Sequence, residues 1–254
     1  MKLARGLRRK CEGWDVICYA GAPWDRNFNV MDLSASLFPG WALWLGCALA
    51  AALLALAALR VRWRALDPAA LNAWMGACVL DLALWLLRGG LQPGLSFHLL
   101  GAALLTLMMG PWLALLALAV AQLALAAAGH ADWSALGLNW LLTPLPAVAV
   151  TAGMLELARR RLPAHFFIYV FVNGFLAGGA SLLAAALCGV LALGAAGAYP
   201  WDGLLGEALP YYFLLSWSEA FTTGLLLAVL TVYKPRWVST FDDGRYLGGK
   251  PGPS

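Results

Sequence analysis

Charge is scarce in this chain: of 254 residues, 12% are Asp, Glu, Lys or Arg, while 62% are hydrophobic. A soluble domain carries about a quarter charged residues, so this chain has too little polar surface to wrap its apolar bulk, and a water-soluble globule is excluded. Segments of about ten alternating apolar and polar residues, the mark of barrel strands, are also missing. The five cysteines, Cys11, Cys18, Cys47, Cys78 and Cys188, form no CxxC pair, and three lie in apolar stretches where a thiol acts as a small hydrophobe. HExxH, GxSxG, a Walker lysine loop and GxGxxG are all absent, which leaves no candidate for zinc proteolysis or nucleotide hydrolysis. The chain is expected not to be an enzyme, and any ATP hydrolysis belongs to another subunit. The net charge of +4 comes from basic residues beside apolar segments, and no nucleic-acid motif is present.

What is present is a series of Leu- and Ala-rich stretches near or above 18 residues, the length of a membrane-crossing helix. Spans are expected at residues 38–59, 69–87, 133–157, 166–198 and 210–232, with loops between them that include residues 199–206. Residues 98–128 form one apolar run of 31, about 46 Å as a helix and too long for one ordinary span. Gly110-Pro111 divides it, as two short spans with a sharp turn or as one kinked helix.

Basic residues set the orientation. With a turn at Gly110-Pro111, the clusters Arg60, Arg62 and Arg64, then Arg159, Arg160 and Arg161, then Lys234 and Arg236 all fall on one side, which is the cytoplasmic side. The expected fold is therefore an all-α membrane protein, a polytopic bundle of about seven transmembrane helices with a cytoplasmic C-terminus. Residues 31–236 form the transmembrane domain and residues 237–254 a polar cytoplasmic tail. Residues 1–30, with Lys2, Arg5, Arg8, Arg9 and Lys10, lack the apolar core of a signal peptide. A basic extension at that point would lie on the outer side against the rule, so Met31 is favoured over Met1 as the functional start.

Ionisable and amide side chains inside spans are costly in lipid and are candidates for function. Glu219 lies in the last span, with Ser216, Ser218, Thr222 and Thr223 as a polar stripe expected to face the bundle. It is either functional or a hydrogen-bonded anchor between helices. Asp81 in the second span is its counterpart or a second anchor; Asn139 and Asn173 are further polar groups of the interior. His98 stands where the chain enters the membrane on the outer side, as a metal donor or as a satisfied interfacial residue. His130 sits in an outer loop, Gly129-His130-Ala131-Asp132-Trp133, and His165 sits on the opposite side beside the arginine cluster.

Ser96-Phe97-His98-Leu99-Leu100-Gly101, then Met109-Gly110-Pro111-Trp112, then Leu136-Gly137-Leu138-Asn139 and the Glu219-x-x-x-Thr223 pair resemble the CbiM/NikM family. These are substrate-binding membrane permeases of energy-coupling factor transporters for cobalt and nickel. The resemblance runs from Met31 to about Tyr233. It is strongest to a proteobacterial branch ending in Phe-Asp-Asp-x-Arg-Tyr-Leu, here residues 241–247. It implies an ion held at the outer end by the mature terminal amine, a second-residue histidine and the histidine that maps onto His98, a nitrogen set suited to Ni²⁺ or a similar ion. The implied partners are a coupling transmembrane subunit, ATPase subunits and the lipid bilayer. The divalent cobalt or nickel is cargo rather than a resident cofactor, with a link to cobalamin biosynthesis. Where the family begins Met-His-Ile-Pro, this chain has Met31-Asp32-Leu33-Ser34; a carboxylate from Asp32 beside the amine of Met31 shifts preference toward harder ions. The expected metal donors are thus His98, Met31, Asp32 and His130. The competing expectation is a non-transporting membrane scaffold held together by Glu219 and small-residue helix faces.

Overall fold

Proline and glycine set most of the helix boundaries. The computed structural model describes residues 33–66, 68–86, 89–90, 96–97 and 99–246; the basic extension at residues 1–30 and the end of the tail lie outside them. Pro39 precedes α1 (Gly40–Arg60), and α2 (Pro68–Leu86) starts on a proline whose missing N–H is no loss at a helix start. A two-residue antiparallel pair, β1 (Gly89–Gly90) and β2 (Ser96–Phe97), sets Gly89 opposite Phe97 and Gly90 opposite Ser96.

The long run from residue 98 resolves into two helices, α3 (Ala102–Met109) and α4 (Pro111–Ala127), which pack along each other. Gly110 makes the turn at φ 80°, ψ 164°, a backbone region open essentially to glycine alone. Its N–H donates to the Thr106 carbonyl to close α3, and its carbonyl accepts from the Ala114 N–H to open α4. The sharp turn, rather than the kinked helix, is what forms. α3 has 8 residues, about 12 Å, against a hydrocarbon core about 30 Å thick. It is a short helix buried in protein and does not cross the membrane by itself.

α5 (Leu136–Leu142) and α6 (Pro144–Arg161) follow one another within the apolar helix Trp133–Arg161, which covers the span expected at residues 133–157. They break at Thr143 because Pro144 and Pro146 supply no N–H to the preceding turn. α7 (Phe166–Ala195) contains a π-helical stretch, Tyr169–Leu176. α8 (Trp201–Tyr233) begins nine residues before Pro210, so the expected loop at residues 199–206 is helical from Trp201 onward. Asp202, Gly203 and Glu207 lower the hydropathy there and hide the helix from a sequence reading, and the π-helical turns at Leu204–Ala208 lead into the proline. α9 (Asp243–Tyr246) ends the described chain.

Among the described residues four helices, Gly40–Arg60, Trp133–Arg161, Phe166–Ala195 and Trp201–Tyr233, are long and apolar enough to cross a membrane, and two shorter apolar ones, Leu71–Leu86 and Pro111–Ala127, accompany them. Polarity is inverted relative to a soluble protein: Leu59 is 84% and Trp44 80% exposed, while Glu219 and Asn139 are each 1% exposed. Such a surface is stable only in lipid.

One end of the bundle is basic. Arg60 lies 5.8 Å from the Trp112 ring centroid, just after the Gly110 turn. The segment after α8 folds back under it: the Ser239 N–H donates to the Met108 carbonyl and the Thr240 hydroxyl to that of Leu107, at 2.8 and 2.6 Å. The Tyr169 hydroxyl shares a 2.7 Å hydrogen bond with Thr240, Arg159 donates to the Thr240 carbonyl, and Arg245 donates to that of Arg159. Phe241 and Tyr246 stack 5.4 Å apart against Tyr169. The tail expected from residue 237 as a polar extension is therefore docked as far as Tyr246.

Candidate metal end of the bundle

Two buried side chains, one at the end away from the arginines and one at mid-depth in the bundle, each hold a stretch of backbone. The first is Asn139 on α5. Its Oδ1 accepts from the Leu33 N–H at 2.8 Å and its Nδ2 donates to the Leu33 carbonyl at 3.0 Å. A primary amide is suited to this because it alone among short side chains offers one acceptor and two donors on a flat head. Asp132 adds a second hold, accepting from the Ser34 hydroxyl and the Ala35 N–H, both at 2.9 Å. Leu33 itself is 1% exposed, so the start of the described chain is inserted into the bundle.

Asn139→Leu is expected to leave both Leu33 backbone groups buried without partners, at about 1–3 kcal/mol each. The loss is read directly as fast amide hydrogen exchange at Leu33, with α1 protection unchanged.

The second clamp is Glu219, midway along α8. Its two oxygens accept from the Leu100 N–H at 2.8 Å and the Gly101 N–H at 2.9 Å. These N–H groups stand at the start of α3, where four amides lack intrahelical partners and the helix dipole favours a negative charge. Leu100 is held a third way, its carbonyl accepting from Trp85 Nε1 at 3.1 Å. Gly101 has φ 67°, and a Cβ there would lie 2.3 Å from Asp81 Oδ1, so no larger residue fits. Asp81 is 3% exposed and interacts electrostatically with Glu219, and among the described residues neither of its oxygens has a hydrogen-bond partner.

The polar stripe on α8 is narrower than the spacing suggests. Ser216, Glu219 and Thr223 are buried, Thr222 is half-buried, and Ser218 faces outward. Five polar residues spread over more than one face of a helix, and only the set at i, i+3 and i+7 meets α7. Gly178 of α7 comes so close there that a Cβ on it would be 3.0 Å from that of Thr223. Asn173, in the π-helical stretch of α7, is buried but belongs to the basic end, lining a small cavity with Arg159 and Arg245. His130 is exposed at the end away from the arginines, and its backbone N–H closes α4 on the Leu125 carbonyl.

Of the expected metal donors, Met31, Asp32 and His98 lie outside the described residues. Among the described residues no three of His, Cys, Asp and Glu converge on one point. What is placed is the support on either side. Leu33 follows Asp32 by one residue and Leu100 follows His98 by two, and both leucines belong to one buried cluster. The spacing within the sequence does not reveal that Glu219 and Asn139 act on backbone groups; the unfilled N–H groups at the start of α3 are the signal that points to the first.

Residues 32–237 match the family described as the cobalt uptake substrate-specific transmembrane region, CbiM. Two crystal structures share the fold. A truncated transition metal transporter is 22% identical with a TM-score of 0.69, over 80% of this chain and 99% of that one. A transition metal transporter is 20% identical with a TM-score of 0.70, over 79% and 92%. No curated protein matches. With most of its length matched and the bundle shared, this chain belongs to the CbiM family of membrane proteins.

Proposed function

We propose that this chain is the substrate-binding permease subunit of an energy-coupling factor-type ABC transporter that takes up divalent cobalt or nickel. The carrying observation is the pair of backbone clamps. Asn139 fixes Leu33, the residue after Asp32 in sequence, and Glu219 fixes Leu100 and Gly101, two and three residues after His98, and both leucines belong to one buried cluster. Anchored donors bind an ion more tightly than floppy ones because the ordering cost is met during folding.

In this reading the ion is captured on the outer side of a bacterial inner membrane by His98, the amine of Met31 and Asp32, with exposed His130 near the entrance. The bundle then moves against a coupling membrane subunit driven by separate ATPase subunits, with the basic end and the docked tail facing the cytoplasm. A carboxylate in place of a second imidazole shifts the preference away from that of an all-nitrogen set toward harder ions. Cobalt delivered this way feeds cobalamin synthesis.

The test is the metal content of the purified full chain after equilibration with Co²⁺ or Ni²⁺, with the N-terminus sequenced on the same sample. About one ion per chain is the expected result. A metal-free chain with an intact bundle supports the membrane scaffold instead.

A further inference from the structure

We infer that the lateral cleft between α2, α3 and α8 is the seat of one transmembrane helix of a partner membrane protein, and that this helix carries a Lys or Arg which pairs with Asp81. α2 packs against α4 through the face that includes Trp74, whose indole donates to the Leu113 carbonyl. Its other face, with Asn72, Gly76, Leu80 and Leu84, looks across the cleft to Leu226 and Val229 on α8. The cleft holds about 620 Å³. From residue 72 to residue 84 it runs roughly 18 Å, more than three helical turns, which is the shape of a helix groove rather than of a compact ligand pocket. Leu80 is 55% and Val229 44% exposed, and among the described residues no atom beyond its own helix backbone and chain neighbours lies within 4 Å of where a Cβ on Gly76 would be, so an incoming backbone can approach closely.

The chemistry of the occupant follows from Asp81. Its carboxyl is buried against Gly101 with neither oxygen hydrogen-bonded among the described residues, in a cleft whose described lining is otherwise apolar apart from Asn72. A lipid chain fills the volume and leaves the carboxyl unsatisfied. A bound metal needs more donors than converge here among the described residues. A helix with a cation satisfies both demands, since a carboxylate and an ammonium or guanidinium that are each costly alone in lipid are much less so as a pair. The inference goes beyond the transport reading, because the cleft and the carboxyl call for this partner whether or not the chain carries metal.

The test uses the full chain in phosphatidylcholine liposomes with a fluorophore on its tail and a labelled single-span Leu/Ala peptide bearing one Lys at the depth of Asp81. Peptides with Leu or Glu at that position serve as controls. The Lys peptide is expected to associate at least tenfold more tightly than the Leu peptide, and Asp81→Asn to remove that difference without lowering the unfolding temperature. Asp81→Lys is expected to reverse the preference toward the Glu peptide. A photo-crosslinker at Val229 should capture the Lys peptide, while one at Leu59 on α1 should not. Equal association of all three peptides, an Asp81→Asn variant that behaves like the parent, or phospholipid alone captured at Val229 would each overturn the inference. The failure of metal binding leaves these outcomes unchanged, so the two readings are tested separately.

Discussion

His98→Ala is expected to abolish saturable uptake of radioactive nickel or cobalt in cells that express the complete transporter, and to weaken metal binding by the purified chain more than about 100-fold. Removing a group that merely supports a ligand costs about 10–100-fold, so the loss of a donor should exceed that range. The unfolding temperature of the metal-free protein should hold, because the fold beside His98 is secured by Leu100 and Gly101, whose amides are bound to Glu219. Uptake that persists at parental levels in His98→Ala would remove the main reason to assign cargo capture to this chain.

Glu219→Leu is expected to be the most damaging single change to stability. It deletes two hydrogen bonds to a charged acceptor, each worth about 1.5–3 kcal/mol, and leaves the N–H groups of Leu100 and Gly101 buried without partners. A total loss of about 3–6 kcal/mol is a large share of the stability of an ordinary domain. Glu219→Gln separates hydrogen bonding from charge. A carboxylate presents two acceptors, whereas the amide presents one acceptor and an NH₂ that must face a backbone N–H. The Gln variant should therefore lose about half as much, seen as an intermediate unfolding temperature in detergent. It should also bind metal less tightly, since the backbone that follows His98 is then held at one point instead of two. A Gln variant as stable as the parent would show that Glu219 holds the backbone through a single acceptor.

The class of the fold is legible in the chain because hydropathy and basic clusters report on lipid and on orientation directly. Arg60 beside Trp112, and Arg159 bonded to the segment after Arg236, show the basic residues gathered at one end, as their spacing suggests. A break at Gly110-Pro111 is readable too, since Pro111 has no N–H to continue a helix, whereas the choice between a kink and a sharp turn is not. Helix limits near Pro210 are not, because Asp202 and Glu207 lower the local hydropathy without stopping the backbone from coiling. The clamps are harder still. Asn139 reaches Leu33 across 106 residues, Glu219 reaches Leu100 across 119, and Thr240 reaches Leu107 across 133. Local pattern marks such residues as polar groups in an apolar setting and therefore as candidates, but it does not say whom they meet. The same limit explains Ser218 and Ser216: both are polar and near Glu219 in sequence, and only the helix rotation set by α7 decides which one is inside.

A helix pinned at both tips cannot change its length without penalty. Glu219 grips the start of α3, and Ser239 and Thr240 grip its finish. One inserted alanine would advance the far tip by about 1.5 Å and swing it by roughly 100°, tearing one grip or the other. The eight residues from Ala102 to Met109 thus serve as a fixed ruler between the middle of the bundle and its basic end, so evolutionary insertions and deletions should be excluded from this stretch even where its apolar side chains drift freely.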